Sequence, residues 1–229
     1  MLEVIMSDYH IRQYIDFDYE AVRKIFVDGQ LEHIPNGTFS VLKNPRMHFL
    51  IFFVFLTVLI CSKSFLFSFL AIALLLAAAW HFIHAVFHDY VDHSLRDDLL
   101  NIQKSYMENE DSCFWVAESN DVVIGMVGAQ LHRNHDGEPK IQLKHMCVKK
   151  CYRKGGVAKA LCRTVLSFAR QRGYNAVILE TTQIQYAAQR LYENLGFKKL
   201  YELPLPSCFG KLLHVCVFYY RYDIKPEVK

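Results

Sequence analysis

The chain has 229 residues and is 52% hydrophobic, with a mean hydropathy of +0.10; that is high for a water-soluble domain and leaves room for one ordinary domain plus an apolar addition. With 26 Lys and Arg residues against 23 Asp and Glu the formal net charge is +3. No run of five or six basic residues occurs, so nucleic acid is not implied as a ligand.

In chain order, 10–14 (HIRQY) reads as a short strand, and a helix opening at Asp16-Phe17-Asp18 puts Val22, Ile25 and Phe26 on one face. Pro35-Asn36-Gly37 reads as the break that ends it. Within 47–87, two nearly uninterrupted apolar runs, 49–60 and 65–80, flank Cys61-Ser62-Lys63-Ser64. Hydrophobicity all round a helix demands a partner on every side, so this segment reads as a membrane hairpin rather than a buried helix pair. Each run is short against the ~20 residues of a spanning helix. Two short helices that dip in and return, two tilted spans, and one span with an interfacial helix all fit. The segment starts too far from Met1, and is too long, to be a cleaved signal peptide.

Helical periodicity resumes over 90–106, with Leu95, Leu99, Ile102 and Tyr106 inward and Arg96, Asp97, Asp98 and Lys104 outward. The runs 113–118 (CFWVAE) and 122–131 (VVIGMVGAQL) read as a β-hairpin turning at Ser119-Asn120-Asp121. An exposed loop over 132–140 leads to a third strand over 141–148. Next come Arg153-Lys154-Gly155-Gly156-Val157-Ala158 and an amphipathic helix with Val157, Leu161, Val165 and Phe168 on its apolar face, stopped at Arg172-Gly173. A buried strand over 176–181 (AVILET), a helix over 185–195 stopped by Gly196, and a strand over 212–222 complete the pattern.

The R-x-x-G-x-A loop is the most informative stretch. Small residues stand where a Cβ would block a ligand, so backbone N–H groups can converge on phosphate oxygens at the positive end of a helix. The seven cysteines, at 61, 113, 147, 151, 162, 208 and 216, include no C-x-x-C pair and read as reduced core thiols, which favours a cytosol-facing domain.

Strand, R-x-x-G-x-A, helix, strand and then Ala188-x-x-Leu191-Tyr192-Glu193-x-x-Gly196-Phe197 resembles the GNAT superfamily of N-acetyltransferases over about 8–30 and 90–222. The wording SCFWVAES, IGMVGA, GVAKALCRTVLSFAR and LYENLGFKK, with an apolar hairpin in the early helical region, resembles more narrowly the camello-like (N-acetyltransferase 8-like) group of membrane-bound N-acetyltransferases. That resemblance implies an α/β (α+β) GNAT fold, a mixed central sheet flanked by helices with an inserted transmembrane or re-entrant helical hairpin. The organisation expected is an amino-terminal strand and helix over 1–46, the hairpin over 47–87 and the catalytic core over 88–229.

The resemblance also implies acetyl-CoA as acetyl donor. Its pyrophosphate would lie on the main chain of Arg153, Lys154, Gly155, Gly156, Val157, Ala158 and Lys159. Its pantetheine would add like a strand to main-chain groups of Met146 and Val148. Gln185 stands where many relatives carry an Asn that contacts the coenzyme amide, a conservative departure. Tyr192 matches the tyrosine that commonly protonates the departing thiolate. Glu180 matches a strand carboxylate used as base by some relatives, and a carboxylate among Ile178, Leu179 and Thr181 is costly to place for packing alone. His145 is the second candidate base; simple alternation puts it opposite Lys144 and Met146, and a bulge would reverse that.

His84, His88 and Asp92 fall on one helical stripe with His81 a turn earlier. Imidazoles after an apolar span suit the polar interface beside Trp80 and Tyr90, and the chemistry of the family needs no metal, so none is expected.

A hairpin in the acceptor wall brings a lipid bilayer to the substrate side. The expected acceptor is a small amphiphilic amine such as an S-substituted cysteine, whose α-ammonium (reference pKa ~8) loses its proton more readily than a lysine side chain (~10.4). Protein lysine is the alternative acceptor, of endoplasmic reticulum proteins or histones, and a non-catalytic acetyl-CoA-binding membrane protein is the alternative class. The expected location is the endoplasmic reticulum membrane with the catalytic end in the cytosol, so the Asn36-Gly37-Thr38 sequon should be unmodified.

Overall fold

The computed structural model describes residues 8–133 and 138–224. Its helices are α1 (Tyr19–Leu31), α2 (Ile34–Lys43), α3 (Pro45–Ser62), α4 (Phe65–Arg96), α5 (Val157–Gln171), α6 (Tyr186–Leu195) and α7 (Cys208–Leu213). Its strands are β1 (His10–Gln13), β2 (Cys113–Ser119), β3 (Val122–Arg133), β4 (Pro139–Val148), β5 (Ala176–Thr182), β6 (Lys198–Pro204) and β7 (Cys216–Asp223). One seven-stranded sheet runs in the order β1-β2-β3-β4-β5-β7-β6. Only β4 and β5 are parallel neighbours, so the sheet is mixed.

The β4–β5 pairing covers only Ile141↔Val177, Gln142↔Ile178 and Leu143↔Leu179. Beyond it β4 stays with β3 as far as Val148, and β5 stays with β7 through Thr182, so the two strands separate along their carboxyl halves. A bulge accompanies the separation. His145 has φ +53, and the β3 register passes from Lys144 to Cys147 without pairing His145 or Met146.

The sheet is covered on two faces. α5 packs Val157, Leu161, Cys162 and Val165 on one, where Tyr192 of α6 and Phe197 join the same apolar cluster. On the other, α1 packs Val22, Ile25 and Phe26 against Leu99, Tyr106, Phe114 and Cys147. The apolar periodicity of both helices was legible in the sequence.

α3 and α4 form the inserted hairpin, turning at Lys63 in a left-handed conformation (φ +54). Asn44 caps α3 by accepting from the Arg46 N–H at 2.9 Å. Phe49, Phe53, Ile60, Phe65 and Leu66 are each about two-thirds or more exposed, the reverse of a buried helix pair. The second helix changes character at Ala79: Ala79, Ile83, Phe87 and Val91 form a buried stripe at i, i+4 spacing, docked partly on Ile34 and Val41 of α2. A Cβ on Gly37 would come 3.1 Å from Ile83 Cγ2, so that glycine permits the close approach of α2 to α4.

Several expectations need correction. Pro35-Asn36-Gly37 does not end the first helix; the chain pauses at Glu32-His33 and Pro35 lies in the first turn of α2, where its missing N–H costs no helical bond. Asp98 is buried rather than outward, because α4 stops at Arg96 and Asp97 takes a non-helical conformation (φ −98, ψ −110), which resets the phase before the π-turn Gln103–Met107. The last strand starts at Cys216, since Cys208–Leu213 is helix, capped by Ser207. β6 was not anticipated: it is an edge strand with almost every residue exposed, so it has no apolar alternation. Of the cysteines, 113, 147, 162 and 216 are buried, whereas Cys61, Cys151 and Cys208 are exposed. The loop expected over 132–140 is shorter, with β3 reaching Arg133 and β4 starting at Pro139; 134–137 lie outside the described residues.

Candidate active site

Lys149, just past β4, donates its N–H to the Ile124 carbonyl at 2.8 Å, and a single 3-10 turn, Lys150–Tyr152, carries the chain to the glycine loop. Lys154 (φ +69) and Gly156 (φ +83) are left-handed. Around Gly156 nothing lies nearer to an added Cβ than Tyr9 Oη at 3.8 Å, so its glycine is required by torsion rather than crowding. The first helical bond of α5 is Ala160 N–H to the Gly156 carbonyl at 3.0 Å, which leaves the N–H groups of Val157, Ala158 and Lys159 at the open helix start. Buried positive charge is not needed there; aligned peptide dipoles suffice to favour a phosphate.

Arg153 turns away from that helix start. Its Nε donates to the Val148 carbonyl at 2.9 Å and its Nη1 pairs with Glu32 Oε1 at 2.5 Å. Its side chain therefore ties the loop to the ends of β4 and α1, while the loop's main chain stays open.

Val148 and Tyr192 belong to one apolar cluster with Val157 and Leu161, so the loop, the end of β4 and α6 meet on the α5 face. The Tyr192 ring lies 5.7 Å from Phe197 and 6.2 Å from Tyr220, and among the described residues its hydroxyl has no hydrogen-bond partner. Burial, helped by neighbouring Cys162 and Cys147, holds this phenol well above its ordinary range. It therefore keeps its proton at neutral pH.

On the α1 face the bulge puts Lys144 and His145 side by side, both reaching Asp98. His145 is buried and packs edge-on against Phe26 at 5.0 Å between centroids. Its Nε2 lies 2.9 and 3.0 Å from the two Asp98 oxygens. Its Nδ1 is buried without a partner among the described residues. Asp98 also accepts from Tyr106 Oη at 2.6 Å and from Lys144 Nζ. Burial acts to raise the Asp98 carboxyl, but His145, Lys144 and Tyr106 together hold it well below the carboxylate range.

Glu180 is exposed on β5, with Gln142 Nε2 at 3.5 Å. Surrounding protein raises its carboxyl against the pull of His132 and Lys144, an effect that its openness to water keeps modest. Gln185 precedes α6, and its Oε1 accepts from Thr181 Oγ1 (2.7 Å) and the Thr182 N–H (3.3 Å). Its oxygen is thus committed to the β5–α6 turn, leaving only its NH₂ for a ligand.

A chain with this strand separation, glycine loop and helix order matches the acetyltransferase (GNAT) family over residues 77–197. The chain belongs to that family. The probable N-acetyltransferase camello of Xenopus tropicalis is 42% identical over 220 residues, covering 96% of this chain and 100% of that protein. N-acetyltransferase 8B of Homo sapiens is 42% identical over 195 residues, covering 85% and 86%. Among solved structures, the GNAT-family acetyltransferase of Staphylococcus aureus aligns with a TM-score of 0.58 at 19% identity over 95% of this chain and 100% of that one. The GCN5-related N-acetyltransferase of Kribbella flavida aligns at 0.56 and 15% over 94% and 98%. These likenesses establish the fold, and the family makes the chain an N-acetyltransferase that acts on amines.

Sequence reasoning did not anticipate that Asp98, Lys144 and Tyr106 would gather around His145. Tyr106 was read as inward from its spacing, but Asp98 was read as outward, because the break at Asp97 that turns it inward has no signal in residue type. Glu202, His214 and Cys216 also meet, with ligand-type atoms within 4.8 Å of one another, although no metal cluster was expected. Lys199 already pairs with Glu202 at 2.6 Å and the Cys216 thiol contacts His214 Nδ1 at 3.0 Å, so the group is internally satisfied.

Proposed function

We propose that this chain is a membrane-anchored, acetyl-CoA-dependent N-acetyltransferase of a small amphiphilic amine such as an S-substituted cysteine. The observation that carries the reading is the gap between β4 and β5, with a buried neutral phenol on one face and proton acceptors on the other. Acetyl-CoA supplies the thioester. Main-chain N–H groups from Gly155 to Lys159 hold the diphosphate, and the unpaired main chain at Met146, beside Val148, lines the pantetheine track.

The amine approaches from the α1 face. Glu180 at the mouth of the gap draws the ammonium in, and it and His145 are the groups able to take its proton. The amine nitrogen then bonds to the thioester carbonyl carbon; as the carbon–sulfur bond breaks, that nitrogen releases its second proton to solvent, and Tyr192 gives its proton to the departing thiolate and is reprotonated from solvent. No covalent enzyme intermediate is needed.

Two features support the amphiphilic acceptor. A groove of about 610 Å³ lined by Lys43, Arg46, Gln183, Tyr186 and His214 has no carboxylate among its described lining, which suits an amino acid's own carboxylate. It lies where the apolar hairpin begins, so an acceptor with a greasy substituent can reach it from a lipid surface. The exposed phenylalanines of α3 and α4 support bilayer insertion, and short runs suit the thinner bilayer of the endoplasmic reticulum, with the catalytic end in the cytosol.

The direct test is steady-state acetylation of S-benzylcysteine by the purified full-length protein in detergent, beside lysine peptides. Turnover of S-benzylcysteine supports the reading; turnover of lysine peptides alone reverses it in favour of protein acetylation.

A further inference from the structure

We propose that Asp98 is the positioning residue that makes His145 the proton acceptor for the incoming amine; this rests on the acetyl-transfer reading and assigns the base within it. Asp98 stands just beyond α4, buried, and its carboxylate can only accept hydrogen bonds. The proton on the shared contact therefore belongs to His145 Nε2. A neutral imidazole protonated there carries its lone pair on Nδ1, the atom left buried and unpartnered.

That arrangement is more than a way of satisfying Asp98. Lys144 already supplies the balancing charge and Tyr106 a second donor, so an apolar side chain at position 145 would leave the carboxylate paired. Instead the chain holds an imidazole in a left-handed conformation, at φ +53, that a β-strand residue rarely adopts. The same bulge separates β4 from β5 and places Lys144 and His145 on the same face as Glu180, since Leu143 and Leu179 alternate onto the other. A buried acceptor atom without a partner calls for a functional explanation, and a proton-accepting role supplies one.

The nitrogen loses two protons in all, one before attack and one to solvent as the carbon–sulfur bond breaks, and His145 takes the first. His145 Nδ1 takes one proton from the ammonium, directly or through one water, and the freed electron pair on nitrogen forms the bond to the acetyl carbon. Asp98 stays ionised and stabilises the imidazolium without taking the proton itself, the division of labour seen in histidine–aspartate pairs elsewhere. Glu180, exposed at the rim, attracts the ammonium. The resulting imidazolium returns its proton to solvent after product leaves.

The experiment uses full-length protein in detergent with nitrogen-15 histidine. The His145 signals are assigned by their loss in His145→Gln. The expected spectrum shows Nε2 protonated and Nδ1 bare in the wild type, with the second tautomer appearing in Asp98→Asn. In kinetics His145→Gln should lower kcat by roughly 100-fold or more while acetyl-CoA Kd stays within about twofold. Asp98→Asn should lower kcat by at least about tenfold with the same unchanged Kd, which also certifies its fold. A wild-type His145 carrying its proton on Nδ1, or His145→Gln with near-normal kcat, overturns the assignment alone. A wild type that transfers acetyl to no amine instead sinks the underlying enzymatic reading and this role with it.

Discussion

Tyr192 and His145 lie on opposite faces of the sheet, the phenol in the cluster beneath α5 and the imidazole against Phe26 of α1, with the β4–β5 gap between them. In the proposed reaction this placement keeps proton donation to the thiolate apart from proton removal from the amine. Two groups of opposite duty do not compete for one proton.

Removing the Tyr192 hydroxyl isolates the donor role. Tyr192→Phe keeps the ring contacts with Phe197 and Tyr220 and deletes no hydrogen bond among the described residues. Its stability should change by less than about 1 kcal/mol. Its kcat should fall by roughly 100-fold with KM for acetyl-CoA nearly unchanged, as read by thermal melting and steady-state assay.

The glycine loop separates torsion from crowding. Gly156→Ala places a Cβ at φ +83 and should cost about 1–2 kcal/mol while raising KM for acetyl-CoA. Gly155 has no positive φ, and an added Cβ would meet only the Tyr152 carbonyl at 3.7 Å. Gly155→Ala should therefore fold normally, and acetyl-CoA titrations of the two variants give the comparison.

Asp98 predicts an acid limb of stability. Its folded carboxyl titrates below the unfolded value, so its stabilising contribution is complete above pH ~4 and drains away as pH falls through the depressed folded value. Asp98→Asn should lose about 1–3 kcal/mol at neutral pH. The difference from wild type should shrink on acidification, as measured by denaturant melts at pH 7 and pH 3.

Topology has two chemical reporters. The Asn36 sequon lies in α2 on the same side of the hairpin as the catalytic core, so endoglycosidase treatment of cell-expressed protein should produce no mass shift. Alkylation of folded protein should label exposed Cys151 and Cys208 quickly. Cys147 and Cys162, whose thiols burial pushes up to about 12, should label only after denaturation.

Much of this architecture was legible because it is written locally. Asn120 and Asp121 supply the two positive-φ residues of the β2–β3 turn, Gly173 and Gly196 stop their helices in left-handed conformations, and α5 shows its apolar stripe at helical spacing. The strand–loop–helix placement of the glycine loop and the position of Tyr192 on α6 were legible through the spacing of two motifs. Asp98 was not, because its orientation depends on one backbone break, at Asp97, that residue type does not mark. The face of His145 was undecidable for a similar reason: a bulge reverses alternation without leaving a mark in residue type. β6 escaped notice because an exposed edge has no apolar rhythm to read.

α4 continues without interruption from Phe65 to Arg96, a rod of about 48 Å, and Asp98 follows two residues after its end. One end bears the exposed phenylalanines of the hairpin; the other delivers the carboxylate that holds the strand bulge. Excising the hairpin would therefore cut into the same helix that leads to Asp98, so apolar segment and buried carboxylate share one continuous support.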